Sequence, residues 1–272
     1  MSKKKKPNNN RTSNKPVNKN TRLMAKKKTP IGKIALIGGL VLAFAVSTVS
    51  FMNTTDTSVG KAEIKDRSPV VFDGYVEGEN FFILSEKVDD VEMDDSKLNV
   101  TKLFWYGCPH CAALEPYTSR WSEMNKEEVN MNYSHPALGE GWGAHARIYY
   151  ALEKSDLVKY HKDVMRGAKE DSAIFTDPDV VASLMEDGER ERFLDAYDSS
   201  EIGTMINDAN SLSRKIGATG VPTLLIENQI VTSLAYFSSP RAMVQMLESF
   251  RKDKETLKTT IEEVTRQNNS SE

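Results

Sequence analysis

The 272-residue chain is long enough for a tail, a membrane segment and one domain of ordinary size, and its formal net charge of −3 conceals two unlike parts. Residues 1–33 carry 12 Lys/Arg and no acid, so the rest of the chain holds 24 of the 36 basic and all 39 acidic residues, a net of −15. So acidic a body repels a nucleic-acid backbone, and the basic tail lacks interleaved aromatics, so nucleic acid is not expected as a partner.

In chain order, the tail 1–33 is rich in Lys, Asn, Ser and Thr and has too few apolar residues to offset the entropy of ordering it. It is expected to be disordered and cytoplasmic, and drawn to anionic lipid. Next comes Ile34–Met52, "IALIGGLVLAFAVSTVSFM", 19 residues without a charge. As a helix it would span about 28 Å, close to a bilayer core of ~30 Å. Lys and Arg lie only on its N-terminal side, so the positive-inside rule exports everything after Met52. Ala43-Phe44-Ala45 offers a small-x-small cleavage site, but the basic leader is long for a signal peptide and the apolar run continues past it. We therefore expect an uncleaved anchor over a cleaved signal or a buried helix. Residues 53–68 read as a polar linker.

Folded sequence is expected from Pro69. "VVFDGY" and "FFIL" (81–84) look extended, and the acidic stretch 88–97 reads as a solvated turn, lacking the Gly and terminal Glu of a calcium loop. Leu98–Tyr106, "LNVTKLFWY", is dense in β-branched and aromatic residues and predicts a mostly buried strand. Leu114, Tyr117, Trp121 and Met124 fall at helical spacing, with Pro116 inside the helix; "VNMNYSHP" (129–136) is the next strand, which completes a βαβ unit. Short amphipathic helices are predicted through the segment of about 140–216. "PTLLIEN" and "QIVTSL" then form a hairpin-like pair around Asn228, and Ser239-Pro240 starts a last helix. Met243, Leu247, Phe250, Leu257, Ile261 and Val264 make a heptad-like seam on that helix, which is read as packing on the sheet rather than as a coiled coil.

Both cysteines stand in residues 104–112, "FWYGCPHCA". A strand followed by Cys-x-x-Cys at a helix start is a device for ionising a thiol. The helix N-terminus presents unpaired N–H groups and a partial positive charge. Only a few per cent of an ordinary thiol is ionised at neutral pH, and the helix end and His110 would raise that fraction for Cys108. Pro109 suits an early helical position, where its missing N–H costs nothing. Cys108 should be the outer, attacking sulfur and Cys111 the buried resolving one. Stabilising the thiolate stabilises the reduced pair, so the disulfide form becomes a stronger oxidant. Other readings of the pair fit less well. Zinc needs further ligands, and His135, His145 and His161 lack the spacing; each reads as a surface or packing histidine. Covalent haem needs a His where Ala112 stands, and a structural disulfide across two residues would constrain little. No metal or cofactor is therefore expected.

"FWYGCPHCAALEP" and "GVPTLLIEN" together resemble the two signatures of the DsbA-like thiol:disulfide interchange proteins, over about residues 69–250. The resemblance implies an α/β thioredoxin fold with an inserted all-helical domain at about 140–216, here preceded by a single transmembrane helix and followed by a helical extension and frayed tail at 251–272. It implies Cys108 as nucleophile, Cys111 as resolving thiol, Pro109 and His110 as the tuning pair, and a cis Pro222 that with Val221 binds extended substrate. It also implies reduced, unfolded exported proteins as clients and a quinone-linked membrane reoxidase, with the catalytic domain on the periplasmic side of the inner membrane. One position departs from the family: where relatives commonly bury an acid six residues before the first cysteine, this chain has Lys102. That puts the proton path of the resolving thiol in question, and we expect Lys102 to snorkel to the surface. The motif also suits a reductase, an isomerase or a narrow-client exchanger, and the fold alone would suit a non-catalytic interaction scaffold.

Overall fold

The computed structural model describes residues 67–269. The basic tail, the expected span 34–52 and the linker up to residue 66 lie outside the described residues, among which no helix is long and apolar enough to cross a membrane.

A short hairpin, β1 (Val71–Phe72) and β2 (Tyr75–Val76), turns at Asp73 and Gly74, both at positive φ, a conformation an Asp-Gly pair tolerates. β3 (Phe82–Ile83) follows, then β4 (Leu98–Leu103), α1 (Pro109–Met124) and β5 (Val129–Ser134). β4 and β5 pair in parallel, so α1 is the crossover that such a pair requires. Five helices come next: α2 (Trp142–Lys154), α3 (His161–Glu170), α4 (Pro178–Ala182), α5 (Asp187–Asp198) and α6 (Glu201–Lys215). The chain returns through the antiparallel hairpin β6 (Thr223–Ile226) and β7 (Ile230–Ser233), turning at Glu227 and Asn228, and ends in α7 (Pro240–Lys252) and α8 (Lys254–Asn269). The main sheet is mixed, in the order β3-β7-β6-β4-β5, with β4 antiparallel to β6.

β4 is buried along its whole length, including the polar Asn99, Thr101 and Lys102 that stand among its apolar residues. Leu98 and Val100 pack with Leu114 and Trp121 of α1 and with Met243, Met246, Leu247 and Phe250 of α7. Burying each of the larger of these side chains contributes about 1.5–3 kcal/mol. Ser239 caps α7, its oxygen accepting the Ala242 N–H, with Pro240 in the first turn. The seam residues Leu257, Ile261 and Val264 join this same core. The helix breaks at Asp253, and α8 folds onto the sheet, where Gln229 donates to Thr265 Oγ1 at 2.6 Å. A second core is formed by Phe104 and Tyr106 with the buried faces of α2, α3, α5 and α6.

Candidate active site

β4 delivers the chain into the site and α1 carries it away. Phe104 and Tyr106 are fully buried, Gly107 follows, and Cys108 caps α1 with extended backbone (φ −90°, ψ 114°). No side chain fits at Gly107, because a Cβ there would lie 2.4 Å from the Trp105 ring and 2.7 Å from Ser172 Oγ. Trp105 is held in turn: it stacks on Trp142 at 4.6 Å and donates its ring N–H to His145 Nδ1 at 2.9 Å. His145 Nε2 lies 3.0 Å from the Ser172 carbonyl, which fixes the neutral ring with its proton on Nε2.

The Cys108 sulfur accepts the Cys111 N–H at 3.3 Å, the hydrogen bond an N-cap side chain makes to the first turn. Pro109 occupies the first turn, and no acid stands there to oppose a thiolate. The Cys108 thiol is lowered to about 6. The hydrogen bond from the Cys111 side chain is the largest cause, burial opposes it, and the Cys111 and His110 backbone N–H groups and the His110 ring add to it. Cys111, fully buried, moves the other way: desolvation first, then its bond to Cys108, push its thiol well up. Both are free thiols. Two groups of one kind, three residues apart, are thus driven to opposite protonation states.

Across from Cys108, the Val221–Pro222 peptide is cis, and the Cys108 thiol lies 3.5 Å from the Val221 carbonyl. Val221 and Pro222 line a groove of about 440 Å³ with His110, Ala113, Leu234 and Phe237, and no residue in its lining carries a fixed charge.

Lys102 does not snorkel. It is fully buried and pairs with the Glu115 carboxylate of α1, while donating to Thr118 Oγ1 at 3.0 Å. The reason is geometric. Lys102 falls on the same face of β4 as Leu98 and Val100, the face α1 covers, so its stem has no route to water. The acid absent from the strand is supplied by the helix. Burial works against the Glu115 charge, yet Lys102, followed by His161, holds its carboxyl down at about 2. Tyr133, register partner of Lys102 on β5, places its ring 4.8 Å from the ammonium and its hydroxyl 3.4 Å from Glu115. His161 Nε2 stands 3.7 Å from Glu115, and its Nδ1 lies 3.0 Å from the Tyr106 hydroxyl. His135 Nε2 accepts the Tyr106 N–H at 3.3 Å.

The three histidines singled out in the sequence are therefore all packing residues, none at the surface. Desolvation lowers all three, His135 to about 3. Glu115, Tyr133 and His161 had no motif to mark them. The signal present was that Glu115 follows Cys111 by four residues, on one helix face, so an acid there must lie against the strand that carries Lys102.

A family model for the DSBA-like thioredoxin domain matches residues 103–241. The thiol:disulfide interchange protein DsbA of Pseudomonas syringae pv. tomato is 29% identical over 155 residues, covering 56% of this chain and 72% of that protein. Its namesake in Pseudomonas aeruginosa is 26% identical over 179 residues, covering 65% and 84%. A crystal structure of the P. aeruginosa DsbA aligns with a TM-score of 0.61 at 26% identity, covering 69% of this chain and 98% of that one. With the strand, the capped thiol and the buried second cysteine in place, the chain belongs to the family of proteins built on the DSBA-like thioredoxin domain.

Proposed function

We propose that this thiol:disulfide oxidoreductase works in the oxidising direction, donating the Cys108–Cys111 disulfide to exported polypeptides. One observation carries the reading: the Cys108 sulfur caps α1 and sits well below the ordinary thiol range, whereas Cys111 is held above it. A thiolate stabilised in the reduced pair makes that pair the favoured product, so the disulfide is readily given away.

The steps follow from the two environments. A client thiolate attacks Cys108 Sγ, the bond between the cysteines breaks, and its electron pair leaves on Cys111. A second client thiolate attacks the client sulfur of the mixed disulfide and expels Cys108 as a thiolate, the better leaving group because its thiol is the more acidic. The client gains a disulfide, and two electrons remain on the cysteines. Cys111 takes up a proton, in line with its raised thiol. Lys102, in its Glu115 pair, favours the transient Cys111 anion, and is thus a positioning charge for that step. Val221 offers its backbone to the client as to an added strand, beside the uncharged groove. A quinone-linked membrane reoxidase would restore the disulfide. Residues 34–52 would anchor the enzyme, with residues 1–33 on anionic lipid and the catalytic domain on the periplasmic side.

Equilibration with a glutathione redox buffer tests the direction. An oxidising potential, well above that of a reducing thioredoxin, is expected; a potential near that of thioredoxin overturns the proposal and favours a reductase. Resistance of the membrane-bound chain to alkaline extraction tests the anchor.

A further inference from the structure

The exposed side of α1 separates two grooves of opposite character. On one side lies the uncharged groove of Val221 and Pro222. On the other, Ala112, Pro116 and Ser119 face α3 across a groove of about 390 Å³, whose far wall carries Lys162, Arg166 and Lys169. Ala112 bonds back to the Cys108 carbonyl, so this groove opens one helical turn from the reactive sulfur. The three cations recur at intervals of four and three residues and form one ridge along α3.

The ridge has spare charge. Among the described residues Lys162 and Lys169 form no ion pair, and Arg166 meets only Asp163, three residues back on the same exposed surface, at 3.0 Å. Neither Asp163 nor Glu170 lines the groove. Glu115 does line it, but its carboxylate is committed to Lys102. A cationic wall is also against the trend of a chain whose residues beyond 33 carry a net of −15.

We infer that the α1–α3 groove docks an acidic segment of the client, so that clients with Asp or Glu beside the reactive cysteine, on the side away from Val221, are the preferred substrates. The inference rests on the oxidase reading and adds a substrate class to it. Charge complementarity carries it: exposed charges around a reactive centre act chiefly on encounter rate and partner choice.

The experiment uses the full chain, oxidised, with three dithiol peptides alike at the cysteines and flanked by Glu, Ser or Lys. At low salt the Glu-flanked peptide should be oxidised about tenfold faster than the Lys-flanked one, and the gap should close as salt screens the ridge. Lys162→Glu/Arg166→Glu/Lys169→Glu should reverse the order and leave oxidation of dithiothreitol unchanged. Equal rates for the three peptides, or a preference kept by the triple variant, overturn the inference while leaving the oxidase standing. Should no disulfide be transferred at all, the oxidase reading fails, and a cysteine-free Glu-rich peptide decides the groove by fluorescence polarisation. Weaker binding to the triple variant upholds the docking site, and equal binding overturns it.

Discussion

Two cores meet along a single row of β4 and its continuation, and they are made of different matter. Leu98 and Val100 point into a core of aliphatic side chains and phenylalanines from α1, α7 and α8. Phe104 and Tyr106, farther along the row, enter a core beneath the thiols in which tyrosines and histidines pack among aliphatic side chains. Lys102 stands at the seam, and all five residues are fully buried. The aliphatic core asks only for volume and holds equally well at any pH. The other sets tyrosine hydroxyls and histidine rings among its aliphatic side chains, and the bonds those groups make depend on protonation. The reactive pair stands on the second kind, so the region that does the chemistry is also the one whose stability is conditional.

The largest effect should come from the pair itself. Cys108→Ala should abolish disulfide transfer to a reduced client, while both cores survive and urea unfolding of the reduced protein loses only the cap, about 0.5–2 kcal/mol. Breaking the seam comes next. Lys102→Met leaves the Glu115 carboxylate buried without its cation and should cost about 3–5 kcal/mol in urea unfolding. Lys102→Met/Glu115→Leu should recover most of that loss; a double variant as unstable as the sum of its parts would show that the two side chains are not one unit. In the aliphatic core, Leu247→Ala should cost about 2–5 kcal/mol with the Cys108 titration, followed by thiolate ultraviolet absorbance, unmoved from about 6. A shift there would mean the cores are not separable.

Acid should divide the cores by a smaller amount. His135, His145 and His161 are lowered in the folded chain, so on acidification the unfolded chain takes up their protons first. The histidine contribution is therefore complete above the ordinary histidine pKa of ~6.5 and declines as pH falls below it, by up to about 1.4 kcal/mol per pH unit for each histidine. For His135 the decline continues to about 3. Glu115, held down at about 2, adds a loss of the same sign once pH drops below the ordinary carboxyl range. Urea midpoints of the oxidised protein, in which Cys108 no longer titrates, between neutral pH and pH ~4.5 check this window. His161→Gln should flatten the curve, and a flat wild-type curve would rule out the histidine core as its source.

The sequence was most readable where a single element carries its own signal. The β-branched and aromatic residues of Leu98–Tyr106, Ser239-Pro240 before α7 and the turn around Asn228 each mark their element without reference to the rest of the chain. The reactive window was readable for the same reason, since a cap, a proline and two thiols are all local. What stayed hidden is contact between elements. Lys102 looked free to reach water because nothing in "NVTKL" says that α1 will lie over it, and nothing local marks Glu115 as its partner. The weight given to His110 also shifts. Its ring charge is the last of the causes that lower Cys108, behind the bonds made by Cys111. The histidines read as isolated because they are far apart in the chain, and they gather only when β5, α2 and α3 close around Tyr106.

The sulfur of Cys108 serves α1 as a cap only while it is a good acceptor. As a thiolate it holds the Cys111 amide firmly; in a disulfide or a mixed disulfide it is neutral and holds it weakly. The first turn of α1 therefore tightens and loosens with each catalytic cycle, and the rate at which the Cys111 amide exchanges its hydrogen with solvent becomes a clock of the enzyme's oxidation state. In the proposed oxidising direction, a client would leave from a helix end that closes behind it.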